Sequence, residues 1–231
     1  MLPRSCVPCE KIENDCYEWY ERHAAKLEEV KTKRADIVFI GDSITHFWNR
    51  ENNVGFGAKV WDEYYGKRNV LNLGYGFDRT QNMLWRIKNG ELENQDPKVF
   101  VINAGTNQFS ITPNYDGDDS ETAFAGVKLL IETLEQKYPR AEILVMAVFP
   151  RLPEETTQKS IDGLNALLKE YLTGRNKDSL KFIDITKAMR NPDGSFNPAI
   201  YVDGACHPNN AGYRIWAEAL EPEIRRILAA E

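Results

Sequence analysis

The stretch VFIGDSITHFW, residues 38–48, decides how this chain is read. Its apolar run stops at Gly41-Asp42-Ser43, where a buried strand gives way to a turn. A turn alone needs no serine. In open parallel sheets, however, ligands bind just outside the carboxyl ends of the strands, and a serine placed there is placed as a nucleophile. The other apolar runs show whether further chemistry gathers at the same edge.

Runs of the same kind occupy 70–73, 99–103 and 143–148, with a fifth at 180–183. They carry the continuous hydrophobic signature of strands buried on both faces. Helical spacing fills the intervals 80–88, 121–137 and 158–172, and again 210–229. Strands that alternate with helix-length crossovers imply a parallel sheet covered on both faces, a three-layer α/β/α sandwich of about five strands. Ahead of it, Tyr17, Tyr20, Ala24, Leu27 and Val30 fall at helical spacing among charges, which predicts an amphipathic lead-in helix over 15–33. Residues 1–35 are thus read as an arm and lead-in helix, and 36–231 as one catalytic domain.

Bulk properties exclude several functions. The chain has 231 residues, 42% hydrophobic and 28% charged, which suits a globular domain with a large core. Its net charge of −6, with no Lys/Arg cluster, argues against nucleic acid as a partner. No apolar run reaches the roughly 20 residues of a membrane span. The opening MLPRSCVPCEKIEND lacks the apolar centre of a signal peptide, and the compartment, cytoplasm or export, stays open. Cys6-x-x-Cys9 invites a zinc or redox reading. No second pair follows, and Cys16, Cys206 and three histidines complete the inventory, so no metal site or cofactor is assigned. Free thiols or a disulfide tying down the arm are the alternatives.

The residues after each strand carry the chemistry. They are Gly41-Asp42-Ser43, then 74–78 (GYGFD), then 104–107 (AGTN), with Asp203 to Asn209 ahead of the last helix. Serine needs a base within hydrogen-bond reach. His23 sits among charges on the lead-in helix and reads as a solvated surface residue. His46, three residues after Ser43, reads as a wall of the site. His207, with Asp203 just upstream, is the candidate base. The N–H of Ser43, the unobstructed N–H of Gly74 and the side-chain amide of Asn107 are candidate donors to the oxyanion of acyl transfer. A cysteine mechanism through Cys206 is disfavoured, because adjacent residues on an extended segment point opposite ways.

The blocks GDSIT (41–45), NLGYG (72–76), GTN (105–107) and HPNNAGY (207–213) resemble, in order and context, the SGNH hydrolases, or GDSL esterase/lipase family. LWRIKNGELENQDPKV (84–99) resembles the catalytic subunits of intracellular platelet-activating-factor acetylhydrolases. The resemblance spans roughly 36–228 and leaves the cysteine-bearing arm outside. It implies a metal-independent serine esterase on a flavodoxin-like sandwich. Ser43 would be nucleophile and first oxyanion donor, Gly74 and Asn107 would complete the hole, and His207 would be base and then acid. The family places its third triad member three residues before the histidine. Here that position is Gly204, and Asp203 stands four before. Either a local bulge lets Asp203 reach His207, or the site is a Ser–His dyad oriented by a main-chain carbonyl.

Acetyl is the expected acyl group, on a small-molecule or carbohydrate ester. Trp48, Trp61 and Tyr75 are placed to stack on sugar rings, with Asp42, His46 and Asp78 as further substrate-facing candidates. A platelet-activating-factor-like phospholipid and an inactive binding module are the rivals. A homodimer is left open.

Overall fold

The computed structural model describes residues 2–49 and 56–230. After a short 3-10 helix at Arg4–Cys6, the order of elements is α1 (Trp19–Thr32), β1 (Ile37–Gly41), α2 (Ser43–His46), α3 (Ala58–Tyr65), β2 (Val70–Gly74), α4 (Thr80–Lys88) and β3 (Val99–Asn103). The 3-10 helix Thr106–Phe109 follows, then the small hairpin β4 (Ile111–Thr112) and β5 (Tyr115–Asp116). α5 (Ser120–Lys137), β6 (Glu142–Met146), α6 (Glu154–Arg175), β7 (Leu180–Ile183) and α7 (Asn210–Ala229) complete the fold.

The large sheet has the order β2-β1-β3-β6-β7, with every pairing parallel. The chain leaves β1 for β2 on one side and then crosses to β3 on the other. β1 and β3 therefore flank the point where the winding reverses, which opens a crevice beyond their carboxyl ends. Alternate strand residues face opposite layers. Val38, Ile40, Phe100 and Ile102 pack with α4, α5 and α6, whereas Ile37, Phe39, Val99 and Val101 pack with α3 and α7. Two-sided burial is why these strands read as unbroken apolar runs.

All five strands lie where the apolar runs predict them, as do α4 and α7. α6 begins at Glu154 rather than 158 because Pro153 occupies its N-cap, and it runs on to Asn176, whose left-handed φ of 46° ends it. α3 and the hairpin carry no signal that the periodicity picked up.

The lead-in helix exists, but its buried face differs from the expected one. Trp19, His23 and Val30 point inward, while Tyr20 is 48% exposed and Ala24 is exposed as well. His23 is therefore not a solvated surface residue. Its Nδ1 lies 2.8 Å from Glu91 Oε1, and its ring stacks on Trp19. The arm packs on the body: Ser5 Oγ donates to Thr122 O, and Ser5 O accepts from the Thr80 hydroxyl. Cys6, Cys9 and Cys206 are free thiols, Cys6 being buried, and Cys16 is exposed. No helix among the described residues is long and apolar enough to cross a membrane.

Candidate active site

The Gly41-Asp42-Ser43 turn is as tight as its sequence implies. A Cβ on Gly41 would lie 2.6 Å from the Asn103 carbonyl oxygen. Asp42 caps α2: its Oδ1 accepts from Ile44 N–H at 2.9 Å, and its main-chain oxygen accepts from His46 N–H. Ser43 thus stands at the first position of a helix beside the winding reversal. From α7, the Tyr213 hydroxyl donates to Ile44 O at 2.6 Å and fixes α2 against that helix. Burial pushes the Asp42 carboxyl up to about 7.

His207 reaches Ser43 from the loop ahead of α7. Its Nε2 lies 2.8 Å from Ser43 Oγ, and its Nδ1 lies 2.6 Å from Asp203 Oδ2. The additional residue relative to the D-x-x-H spacing is taken up in the turn itself, where Gly204 has a φ of +66°. Asp203 Oδ1 accepts from the N–H groups of Ala205 (2.9 Å), Cys206 (2.8 Å) and His207 (3.1 Å). One carboxylate oxygen therefore shapes the loop while the other meets the imidazole. Partial burial raises the Asp203 pKa, but these N–H groups and the imidazole outweigh it and hold the carboxyl below the ordinary carboxylate range. Burial pushes the Cys206 thiol up to about 12, so it is not a thiolate nucleophile at neutral pH.

The oxyanion side differs from expectation at one residue. The Gly74 N–H is already engaged, donating to Asn72 Oδ1 at 2.8 Å. What Gly74 provides is space, since a Cβ there would sit 2.2 Å from His46 N. Of the turn that follows, Gly76 N–H donates to His46 Nδ1 and Asp78 N–H to Tyr75 O. That leaves the Phe77 amide without a partner among the described residues, held at a φ of +58° that a bulky residue rarely adopts. Strained backbone of this kind concentrates at functional sites. Asn107 Nδ2 donates to Asp78 O at 3.1 Å, which sets Asn107 against the same turn. Arg79 holds Asn107 from behind: its Nε donates to Asn107 O at 3.0 Å, and its Nη1 pairs with Glu13 of the arm at 3.3 Å.

The proposed substrate-facing residues are mostly interior. Trp48 is fully buried and stacks on Trp216 at 4.3 Å; Trp61 packs in the same cluster against Phe39. Tyr75 is also fully buried, its hydroxyl on Glu91 and its ring under the Arg86 guanidinium. Asp78 accepts from Trp19 Nε1 and from Arg86 Nε. His46 lies buried, edge-on to Tyr17. Trp48 and Trp61 thus belong to the core shared with α3 and α7, Tyr75, Asp78 and His46 support the 75–78 turn from its buried side, and Asp42 is buried as the cap of α2. The exposed aromatic in that turn is Phe77.

The profile of the GDSL-like Lipase/Acylhydrolase family matches residues 39–215. The chain belongs to that family. The chain is 28% identical over 227 residues to platelet-activating factor acetylhydrolase IB subunit alpha1 of Homo sapiens, covering 97% of this chain and 90% of that one. To the alpha2 subunit of Bos taurus it is 32% identical over 212 residues, covering 91% and 85%. These alignments reach into the arm, which is therefore not foreign to the relatives. Among solved structures, a GDSL-like lipase from Bacteroides thetaiotaomicron superposes with a TM-score of 0.68 at 22% identity, covering 90% of this chain and 97% of that one. A catalytic mutant of an acetylxylan esterase from Geobacillus stearothermophilus does so at 0.62 and 20% identity, covering 83% and 94%. This acylhydrolase is a carboxylic ester hydrolase on the α/β fold of those neighbours.

Proposed function

We propose that the enzyme removes acetyl groups from oxygen, most naturally on an acetylated carbohydrate, through a Ser43–His207–Asp203 triad. The observation that carries this reading is the unbroken chain from Asp203 Oδ2 through both imidazole nitrogens to Ser43 Oγ, with links of 2.6 and 2.8 Å. His207 Nε2 takes the Ser43 proton as Oγ attacks the ester carbonyl, and Asp203 stabilises the imidazolium that forms. The oxyanion is received by the N–H groups of Ser43 and Phe77 and by Asn107 Nδ2. His207 then protonates the departing alcohol, and water activated by the same nitrogen releases acetate from Ser43.

Relatives named acetylhydrolase and a structural neighbour named acetylxylan esterase support the acetyl group. The exposed Phe77 ring, rather than Trp48 or Tyr75, is the group available to lie against a sugar. A phospholipid alcohol is the second reading, favoured by the names of the relatives matched along most of the chain.

A panel of 4-nitrophenyl esters of rising chain length, beside acetylated xylan and an acetyl glycerophospholipid, tests both parts. Preference for acetate with loss of all turnover in Ser43→Ala, and labelling of Ser43 by a fluorophosphonate, is the expected result. Full activity in Ser43→Ala refutes the mechanism.

A further inference from the structure

Arg151 lies between β6 and α6, where two parts of the site meet. Its neighbours in sequence are tied to the base-bearing side: Leu152 N–H donates to Ala205 O at 3.0 Å, and Pro150 O accepts from the Tyr201 hydroxyl at 2.7 Å. Its side chain reaches the oxyanion side. Nη2 donates at 3.2 Å to the hydroxyl of Ser110, the residue that closes the 3-10 helix bearing Asn107. The guanidinium charge is also felt by the Cys206 thiol, next to His207. It therefore spans the gap between the His207 loop and the Asn107 helix.

Among the described residues Arg151 makes no ion pair, and its buried Nε has no acceptor. Of the other interior cations of this region, Arg79 is matched by Glu13 and Arg86 by both Asp78 and Glu91, while Arg22 is satisfied by the main-chain oxygens of Gly74 and Asn72 and the face of the Tyr75 ring. The Asp42 carboxylate is close enough to feel the charge but does not bond to it, and Asp42 Oδ2 has no partner either. A guanidinium half-removed from water is costly to leave unpaired, and its planar fork suits the two oxygens of a carboxylate or phosphate.

We propose that Arg151 is an anion subsite of the catalytic cleft, so that the preferred esters carry a phosphate or carboxylate on the alcohol part. The inference rests on the esterase reading of the same site. It holds for an acidic sugar and for a phosphodiester headgroup, whose shared chemistry is the oxyanion.

Two matched pairs of acetyl esters test it. One is an acetylated uronic acid and its carboxamide; the other is a short-chain acetyl glycerophosphodiester and the neutral acetyl glyceride. The quantity read is the ratio of kcat/KM for the anionic over the neutral member. Arg151→Gln is expected to lower that ratio by roughly 10- to 100-fold, chiefly through KM, with partial recovery in Arg151→Lys. The pair that responds identifies the source of the anion. Inhibition of the unaltered enzyme by the deacetylated acid, against its amide, gives the same comparison without a variant. An unchanged ratio, even with both members slowed, means a structural tie between loops and overturns the subsite. Failure of the unaltered protein to hydrolyse 4-nitrophenyl acetate overturns instead the esterase reading itself.

Discussion

Asp203→Asn separates the two duties of one carboxylate. Oδ1 accepts three N–H bonds that shape the loop, and Oδ2 meets His207 Nδ1 at 2.6 Å. Asparagine retains an oxygen for the first duty, so the loop and the fold persist. At the second it presents an NH₂ that can only donate. The imidazole must then accept at Nδ1 and carry its proton on Nε2, the nitrogen that has to receive the Ser43 proton. Both the tautomer and the stabilisation of the imidazolium are lost, and kcat should fall by about 10⁴. Asp203→Ala should lose stability as well, because three N–H groups lose their acceptor at once. The assay is 4-nitrophenyl acetate hydrolysis near neutral pH, paired with thermal melting. A melting temperature close to that of the unaltered protein and a kcat down by at least a hundredfold is the expected pair for Asp203→Asn. A loss of less than about tenfold in a folded variant refutes the orienting role and leaves a dyad. The carboxyl also carries a pH consequence. Its pKa is lower folded than unfolded, so its contribution to stability is present above the unfolded value and fades as acid titrates it through the folded one.

Asn107→Ala should lower kcat by roughly 10²–10³ with a smaller change in KM, since its bond strengthens as charge develops on the oxyanion; an effect confined to KM would make it a substrate-positioning residue. Asp42→Asn keeps the cap to Ile44 and removes a carboxyl that the fold pushes up to about 7 from 3.8. Because the folded protein holds this proton more tightly than the unfolded chain, stability should fall as pH rises from about 4 to 7. The asparagine variant should escape that loss, on the order of 2–4 kcal/mol by pH 8, as read by urea unfolding at pH 5 and 8. Equal slopes in both proteins would refute it.

The sheet was legible because its strands are buried on both faces, which leaves an unbroken apolar run with nothing else to explain it. The meeting of Ser43 with His207 was legible because the serine follows a strand end and the chain holds three histidines, one of them close after Asp203 and ahead of the last helix. The aromatics were not. Trp48 and Trp61 neighbour the nucleophile in sequence, but large rings serve cores and ligands equally well, and only packing against Trp216 and Phe39 settles which. His23 misled for the opposite reason: its sequence neighbours are charged, and the partner that draws it inward, Glu91, is 68 positions away. Gly74 was credited with an open amide that Asn72 engages. Among the described residues the amide without a partner is that of Phe77, a residue type from which no positive φ would be expected. Arg151 lay in no motif at all.

The bond between Ser43 and His207 closes a loop of 164 positions. Synthesis delivers the serine 164 positions before the histidine, and over that stretch the growing chain carries the hydroxyl without its partner. The proposed base meets the serine only when β7 has joined the sheet edge and α7 has docked, and such distant contacts are among the slower ones to form. Turnover of an ester is therefore a readout of completed folding. In a refolding experiment it should return with the last phase, after most helix and strand signals have recovered.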